Sequence, residues 1–177
     1  EYRNSIFKES NFLITHVDFK IKKSGELNLN YKSLSREANK KIQSGQHLNP
    51  KKVSNIVSKI RVGALPDPNK EPNAGSFFKN PIVKLSDINL SSFNLDDLIL
   101  WKIDENYSKV GAARLIELIK NSLNNYDNVS ISSKHNLVLT TNGNASQQEV
   151  LKLASEIQSK VKTTFNIDLE IEPRIIL

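Results

Sequence analysis

The first apolar pattern along the chain has the period of a β-strand. Residues 12–21 place apolar side chains at positions 13, 17, 19 and 21 on one side, and mainly polar ones such as His16 and Asp18 on the other. This alternation predicts a strand with one face buried. The Lys-Ser-Gly sequence at residues 23–25 predicts a turn, and a second short strand is expected around residues 27–31.

A helical pattern follows, in which Asn49 is the expected N-terminal cap and Pro50 the first helical residue. The apolar residues at the i, i+3, i+4 and i+7 positions of one face are Val53, Ile56, Val57 and Ile60. We expect this helix to end at Arg61. Residues 63–81 are rich in proline and glycine with little periodicity, which predicts a long loop, and loops of that kind are usually functional or disordered.

The second half of the chain contains both the alternating pattern of strands and the i, i+3, i+4 spacing of helices. The predicted elements in order are a helix at about residues 108–123, strands near 129–132 and 136–141, a helix after residue 146, and a strand at 168–176. Ser146 and Glu149 form a capping-box pattern at the start of the later helix. Strands and helices in this order predict an α+β fold.

Composition narrows the possible classes of protein. The chain of 177 residues can hold one ordinary domain or two small ones. It has no cysteine and three scattered histidines, so we expect neither a metal site nor thiol chemistry. No signal-peptide pattern and no bilayer-length apolar run occur in the sequence, which predicts a cytoplasmic protein with no membrane partner. The absence of methionine suggests a piece of a longer protein.

The formal charge of +6 and the pI near 9.4 point to an anionic partner. The lysines are spread along the whole chain, so a solvated basic surface is the alternative explanation. Aromatic residues are few and are not interleaved with the lysines, and we therefore expect no nucleic-acid partner.

The predicted loop contains the first candidate for chemistry. At residues 73–81, small Ala74 and Gly75 would allow a ligand to approach the backbone, and the hydroxyl of Ser76 lies beside them. Lys79 and Asn80 add a charge and an amide donor. The alternative is a tight turn that packs two phenylalanines into the core. No histidine is near in sequence to activate the serine, so hydrolase chemistry fits poorly.

Two further segments carry candidate polar residues. Glu170, Glu172 and Arg174 fall on one side of the C-terminal alternation, where they form either a solvated edge or the wall of a pocket that shifts carboxyl pKa values. Near the other end, Arg3 beside Tyr2 is either a surface stack or part of a site.

The motifs together resemble one enzyme family. The segments at residues 2–8, 65–81, 109–117, 135–139 and 165–174 are similar, in order and spacing, to those of the UDP-N-acetylenolpyruvoylglucosamine reductase family. The resemblance implies that residues 1–65 are the C-terminal part of an FAD-binding domain and that residues 66–165 form a substrate-binding domain. Residues 166–177 would be a strand that returns to the FAD-binding region.

The resemblance also implies a reaction and its residues. With FAD and NADPH, members reduce the enolpyruvyl group of UDP-N-acetylglucosamine enolpyruvate in peptidoglycan precursor synthesis. Arg3 and Glu172 would hold the carboxylate end of the enolate, and Ser76 would deliver the proton. The positions that match substrate contacts are Tyr2, Tyr31, Lys79 and Asn80, and those near the flavin are Arg61 and Arg174.

Some positions depart from the family pattern. Asn4 stands where aspartate is usual, Pro173 where valine is usual, and Ala64 where some members have a lysine. Residues 121–130 lack the expected glycines, which predicts a different loop shape. The flavin-binding glycine loops of the family would lie upstream of residue 1. The chain alone is therefore expected to be inactive, and the whole protein a monomer. The alternative function is a non-catalytic fragment that binds a UDP-sugar or another anion without flavin.

Overall fold

The computed structural model describes residues 5–8, 10–22 and 24–176. The chain divides into two compact units, Glu1–Ile60 and Arg61–Leu177. The first unit contains a short 3-10 helix, Ile6–Lys8, and the helices α1, Lys32–Gln43, and α2, Pro50–Ala64, whose last residues pass into the second unit.

A small apolar cluster holds the two helices of the first unit together. Its buried members are Leu34, Ala38, Leu48 and Ile56. The predicted cap of α2 is confirmed, because the amide of Lys52 donates to Asn49 Oδ1 over 2.9 Å. The helix extends three residues beyond the predicted end at Arg61, to Ala64.

Helix α1 was not predicted from the sequence. Its composition is mostly polar, which hides a stripe of Leu34, Ala38 and Ile42 at successive i+4 positions. Leu34 and Ala38 are buried in the cluster, whereas Ile42 is half exposed. A search for i, i+4, i+8 spacing would have found the helix, because that spacing keeps residues on one face.

The two strands predicted before α1 are wrong for the described chain. Residues 11–22 have no regular structure and are all exposed, and Phe19 and Ile21 keep 81% and 84% of their surface accessible. A strand needs a neighbour for its backbone groups, and none of the described segments pairs with this one. Leu27 and Leu29 pack against the helical cluster, also without strand pairing.

The second unit has two three-stranded antiparallel sheets. The first has the order β1–β6–β5, with β1 at Asn73–Ser76, β5 at Val129–Ile131 and β6 at Val138–Thr141. The second has the order β2–β4–β3, with β2 at Ile82–Lys84, β3 at Leu100–Lys102 and β4 at Tyr107–Val110. The remaining helices are α3, Ala112–Ile119, and α4, Gln147–Phe165, with short 3-10 turns at Leu85–Asp87, Leu95–Asp97 and Lys120–Ser122.

One continuous core fills the second unit. α3 packs against α4, and α4 packs against β5. The α4 residues Leu153, Ala154, Ile157, Val161 and Phe165 are all buried. The capping box is confirmed, because Ser146 Oγ accepts from the Glu149 amide and the Glu149 carboxylate accepts from the Ser146 amide. The α+β fold class is confirmed.

The helix predicted from residue 108 begins four residues later than expected. Tyr107–Val110 is instead the central strand of the second sheet, with Ser108 and Val110 facing inward. Pairing with two other strands decides this, and local spacing does not show it. Gly111 then allows a close approach, since a Cβ there would lie 3.1 Å from the Ile99 Cβ.

The long loop at residues 63–81 is also more ordered than predicted, because it contains β1. The C-terminal strand, by contrast, is reduced to one antiparallel bridge between Phe78 and Ile171. Its alternation is nevertheless real: Ile167 and Leu169 are 1% and 4% exposed, and Glu170 is exposed.

Candidate functional site

Ser76 ends β1 at an irregular point of the sheet. The register of β1 against β6 shifts between Asn73 and Ser76, and Gly75 has a φ of +76°, a left-handed conformation that favours glycine. Asn73 Oδ1 accepts from the Gly75 amide over 2.9 Å and stabilises this bend. The bend leaves Ser76 half-buried. Its hydroxyl makes no hydrogen bond with any of the described residues, so it is available to a ligand.

The two phenylalanines after Ser76 are core residues. Phe77 and Phe78 are 6% and 1% exposed, and their rings meet edge to face with centroids 5.4 Å apart. The Phe77 amide donates to the Leu137 carbonyl over 2.7 Å. The packed-turn interpretation is therefore correct for the phenylalanines, and it does not compete with a role for Ser76, whose side chain is outside the core cluster.

The C-terminal segment lies alongside this turn. The Glu172 amide donates to the Phe77 carbonyl over 2.9 Å, and the Lys79 amide donates to the Glu170 carbonyl, also over 2.9 Å. Glu172 is half-buried, and its Oε2 atom is buried. The fold thus pairs the backbone of Glu172 with that of Phe77, the residue after Ser76, although Glu172 and Phe77 are far apart in sequence.

Lys79 and Glu170 join the same two segments through their side chains. Lys79 Nζ forms an ion pair with Glu170 Oε1, and Lys79 is the more buried partner. Glu170 thus fixes Lys79 beside the serine turn, a role that the sequence pattern did not suggest. The substrate contact predicted for Lys79 stays a prediction, and a ligand would have to share its ammonium group with Glu170.

Asn80 connects the turn to helix α3. Its Oδ1 accepts from the Ala112 amide over 3.0 Å, which satisfies one of the free N–H groups at the start of the helix. No described residue accepts from its Nδ2. The Oδ1 acceptor of Asn80 is therefore used within the fold, and its Nδ2 donor is available for the predicted substrate contact.

The other predicted residues lie away from this turn in sequence and are exposed. Tyr31 is the N-terminal cap residue of α1 and keeps 76% of its surface accessible. Arg61 lies in the last turn of α2, and Arg174 lies near the C-terminus; both are exposed. No described residue forms an ion pair with either guanidinium group. Tyr2 and Arg3 fall outside the described residues, so their predicted roles stay predictions.

The glycine-free segment 121–130 is fixed by a polar network on α4. Glu156 Oε2 accepts from the Tyr126 hydroxyl over 2.7 Å, and Glu156 Oε1 accepts from the Asn124 amide over 2.8 Å. Burial alone would raise the pKa of Glu156, but these hydrogen bonds and Lys160 outweigh it and lower the pKa. The Glu156 carboxylate raises the pKa of Tyr126. These side-chain contacts fix the position of the segment against α4.

Neither a metal site nor a membrane-spanning helix is found in the described part of the chain. No group of histidines and carboxylates there has the arrangement of a metal site. None of the helices in the same residues is long and apolar enough to cross a membrane.

The second unit, with its serine turn and C-terminal segment, corresponds to a known class of domain. Residues 67–176 match the family model described as the C-terminal domain of UDP-N-acetylenolpyruvoylglucosamine reductase. The chain belongs to this family, and the resemblance inferred from its motifs is confirmed.

Curated relatives of the chain carry the name UDP-N-acetylenolpyruvoylglucosamine reductase. The chain is 36% identical to that of Flavobacterium johnsoniae over 99% of its own length and 52% of the relative. It is 36% identical to the relative from Bdellovibrio bacteriovorus, over 97% of its own length and 51% of the relative. It is 35% identical to the relative from Buchnera aphidicola, over 99% of its own length and 52% of the relative. The chain therefore spans about half the length of the curated relatives it matches.

Proposed function

We propose that the protein containing this chain reduces the enolpyruvyl group of UDP-N-acetylglucosamine enolpyruvate to give UDP-N-acetylmuramate, using NADPH and bound FAD. The reaction would serve peptidoglycan precursor synthesis in the cytoplasm. The observation that carries this proposal is the backbone pairing of residues 77–79 with residues 170–172, which puts Glu172 beside the Ser76 turn. Membership of the reductase family supports the same reaction.

The domain boundaries proposed from the sequence fit this function. Residues 1–65 would be the C-terminal part of the FAD-binding domain, residues 66–165 the substrate-binding domain, and residues 166–177 the returning strand. In support, the exposed alternating segment at residues 11–22 has the pattern of a strand without the sheet that would cover it. The length of the relatives leaves room for such a sheet.

The flavin would be held only in part by this chain. Arg61 and Arg174 are exposed cations without an ion-pair partner among the described residues, which fits a contact with the anionic groups of FAD. When bound, FAD reduced by NADPH would supply a hydride to the terminal carbon of the enolpyruvyl double bond.

The chain's own residues would stabilise charge and move a proton. Hydride addition places negative charge on the adjacent carbon and its carboxylate. Arg3 and protonated Glu172 would donate hydrogen bonds to that carboxylate, an electrostatic contribution that is often the largest in catalysis. Ser76 Oγ would then donate its proton to the carbon that bears the ether oxygen, and water would reprotonate the alkoxide. The free hydroxyl of Ser76 and the buried Glu172 oxygen are consistent with these roles.

Substrate binding would use Lys79 and Asn80 of the second unit together with Tyr2 and Tyr31. Asn80 would donate from Nδ2 to the substrate while its Oδ1 stays on the Ala112 amide. Tyr31, exposed at the start of α1, would close over the diphosphate. Tyr2 and Lys79 would complete the contacts, and the whole protein would act as a monomer.

The test uses the longer protein that contains this chain. We expect it to be yellow, with flavin absorbance that NADPH bleaches and the enolpyruvyl UDP-sugar restores. A colourless protein whose thermal stability is unchanged by the UDP-sugar would rule out the reductase. A colourless protein that the UDP-sugar stabilises would instead support the non-catalytic binding alternative. The 177-residue chain alone is expected to show no turnover.

A further inference from the structure

The C-terminal segment, residues 167–176, has little backbone pairing of its own. Its described residues belong to neither sheet and form one isolated bridge, between Ile171 and Phe78. Next to that bridge the Glu172 amide donates to the Phe77 carbonyl over 2.9 Å. A full antiparallel ladder repeats such bonds along the whole strand. The position of this segment therefore depends on further contacts.

Two glutamine side chains of α4 supply such contacts. Gln158 Nε2 donates to the Leu169 carbonyl over 2.7 Å, and Gln147 Nε2 donates to the Ile176 carbonyl over 3.0 Å. Leu169 precedes Glu172 by three residues, and Ile176 follows it by four. The two hydrogen bonds consequently hold the segment on both sides of Glu172.

The spacing of the two glutamines along α4 suits these contacts. Gln147 and Gln158 are eleven residues apart, about three turns, so they project from the same side of the helix. Lys162 lies about one turn further on and forms an ion pair with Asp168 over 2.8 Å. Since that ion pair is exposed, we expect it to contribute little. One side of α4 thus follows the C-terminal segment.

Gln158 differs from Gln147 in its surroundings. Gln158 is half-buried, whereas Gln147 is exposed. A hydrogen bond away from solvent competes less with water, so the loss of its donor costs more. The side chain of the acceptor residue, Leu169, is buried in the core of the second unit. The hydrogen bond from Gln158 to Leu169 therefore joins the segment to α4 at the border of the core.

We propose that Gln158 is a positioning residue for Glu172 in the reduction of the substrate. The inference rests on the proposed function, because it takes from it the role of Glu172 at the enolate. Gln158 fixes the backbone of the segment at Leu169, and the hydrogen bond to Phe77 fixes it three residues later, at Glu172. With the backbone held at both points, the Glu172 carboxyl is in place before the reaction starts, which lowers the cost of reaching the productive geometry.

The test is single-turnover kinetics of the longer protein with two variants of Gln158. Gln158→Met keeps the length of the side chain and its helix propensity but removes the donor. Gln158→Arg restores a donor, because the Nε–H group of arginine has the same position along the side chain as Nε2 of glutamine. We expect Gln158→Met to slow substrate reduction by about 10- to 10²-fold, the range for a misplaced catalytic group. Gln158→Arg should recover most of the rate.

Two comparisons separate positioning from a general loss of structure. Flavin reduction by NADPH and the KM for the enolpyruvyl UDP-sugar should stay at the parent values in Gln158→Met, because the proposed site does not include Gln158. Gln148→Met is the matched control, since Gln148 is exposed on the same helix. This control should leave both half-reactions unchanged.

Hydrogen exchange of the longer protein gives a readout that needs no turnover. The Glu172 amide should exchange faster in Gln158→Met than in Gln148→Met, because its segment is held less firmly. Unchanged exchange, or faster exchange with an unchanged rate of substrate reduction, would overturn the positioning role and leave the reductase intact. A parent protein that reduces no enolpyruvyl UDP-sugar would instead contradict the proposed function, and the positioning role with it.

Discussion

Two segments of this chain have the same alternating pattern and opposite surroundings. Residues 167–171 bury Ile167 and Leu169 to 1% and 4% exposure, whereas residues 12–21 leave Phe19 and Ile21 more than four-fifths exposed, at 81% and 84%. The C-terminal segment lies on the core of the second unit and bridges to Phe78. The difference teaches that an alternating pattern shows which side chains are suited to burial. Whether they are buried depends on packing against the rest of the fold.

The largest expected effect concerns Ser76, which precedes the turn that pairs with the C-terminal segment. In the longer protein, Ser76→Ala should slow substrate reduction by about 10²- to 10⁴-fold, the usual contribution of a positioned proton donor. Flavin reduction by NADPH should be unchanged, since it needs no proton from Ser76. Rapid-mixing absorbance measurements separate the two half-reactions.

Ser91→Ala is the matched control, because Ser91 is exposed in the same unit. It should leave both half-reactions unchanged. Equal slowing of both half-reactions by Ser76→Ala would show that Ser76 has a structural role only.

The next effect addresses the burial difference directly. In the 177-residue chain, Phe78→Ala should lower the free energy of unfolding by about 3–5 kcal/mol, because it leaves a cavity in the core. Phe19→Ala should change it by less than about 0.5 kcal/mol, as for other exposed residues. Urea denaturation followed by circular dichroism measures both.

The same pair of variants in the longer protein sharpens the comparison. If residues 12–21 join a sheet there, Phe19→Ala should cost more than about 1 kcal/mol. A cost that stays near zero in the longer protein would contradict the proposed FAD-binding domain boundary.

A smaller effect separates the two functions of Asn80. Asn80→Ala removes the acceptor for the Ala112 amide and should cost about 1 kcal/mol of stability, as the loss of a helix cap does. Asn80→Asp keeps the acceptor and should preserve stability, but it lacks the Nδ2 donor and should raise the KM for the UDP-sugar. Parallel denaturation and steady-state kinetics test this. A loss of stability that accompanies the higher KM in Asn80→Asp would rule out the division of roles.

The smallest effect concerns the polar network around Glu156. The pKa of Glu156 is lowered in the folded state, so its contribution is present above the ordinary carboxyl pKa and is lost as the pH falls through the folded value. Glu156→Gln should therefore reduce the loss of stability on acidification below about pH 4.5, by less than about 1 kcal/mol because the group is partly exposed. Denaturation midpoints from pH 6 to pH 3 provide the measurement. Glu105→Gln, at an exposed position, is the matched control, and identical curves for both variants would contradict the role of Glu156.

Parts of the fold followed from the sequence because their signals are local. The Ser146 capping box and the stripe from Leu153 to Val161 determine α4 within a few turns, and Asn49 before Pro50 determines the start of α2. The helix start predicted at residue 108 was wrong for the opposite reason. Tyr107–Val110 is a strand because β2 and β3 flank it, and pairing with distant segments leaves little trace in the local spacing.

The sequence by itself determined the family of this chain, its α+β class and the identity of its candidate residues, because motifs and side-chain chemistry are properties of the residues themselves. Only the tertiary structure decided which of those residues are neighbours. It buried Phe77 and Phe78 but left Ser76 half-buried, it paired the backbone of Glu172 with that of Phe77, the residue after the serine, and it paired Lys79 with Glu170. Such contacts depend on backbone hydrogen bonds between distant segments, which form only when the core brings those segments together.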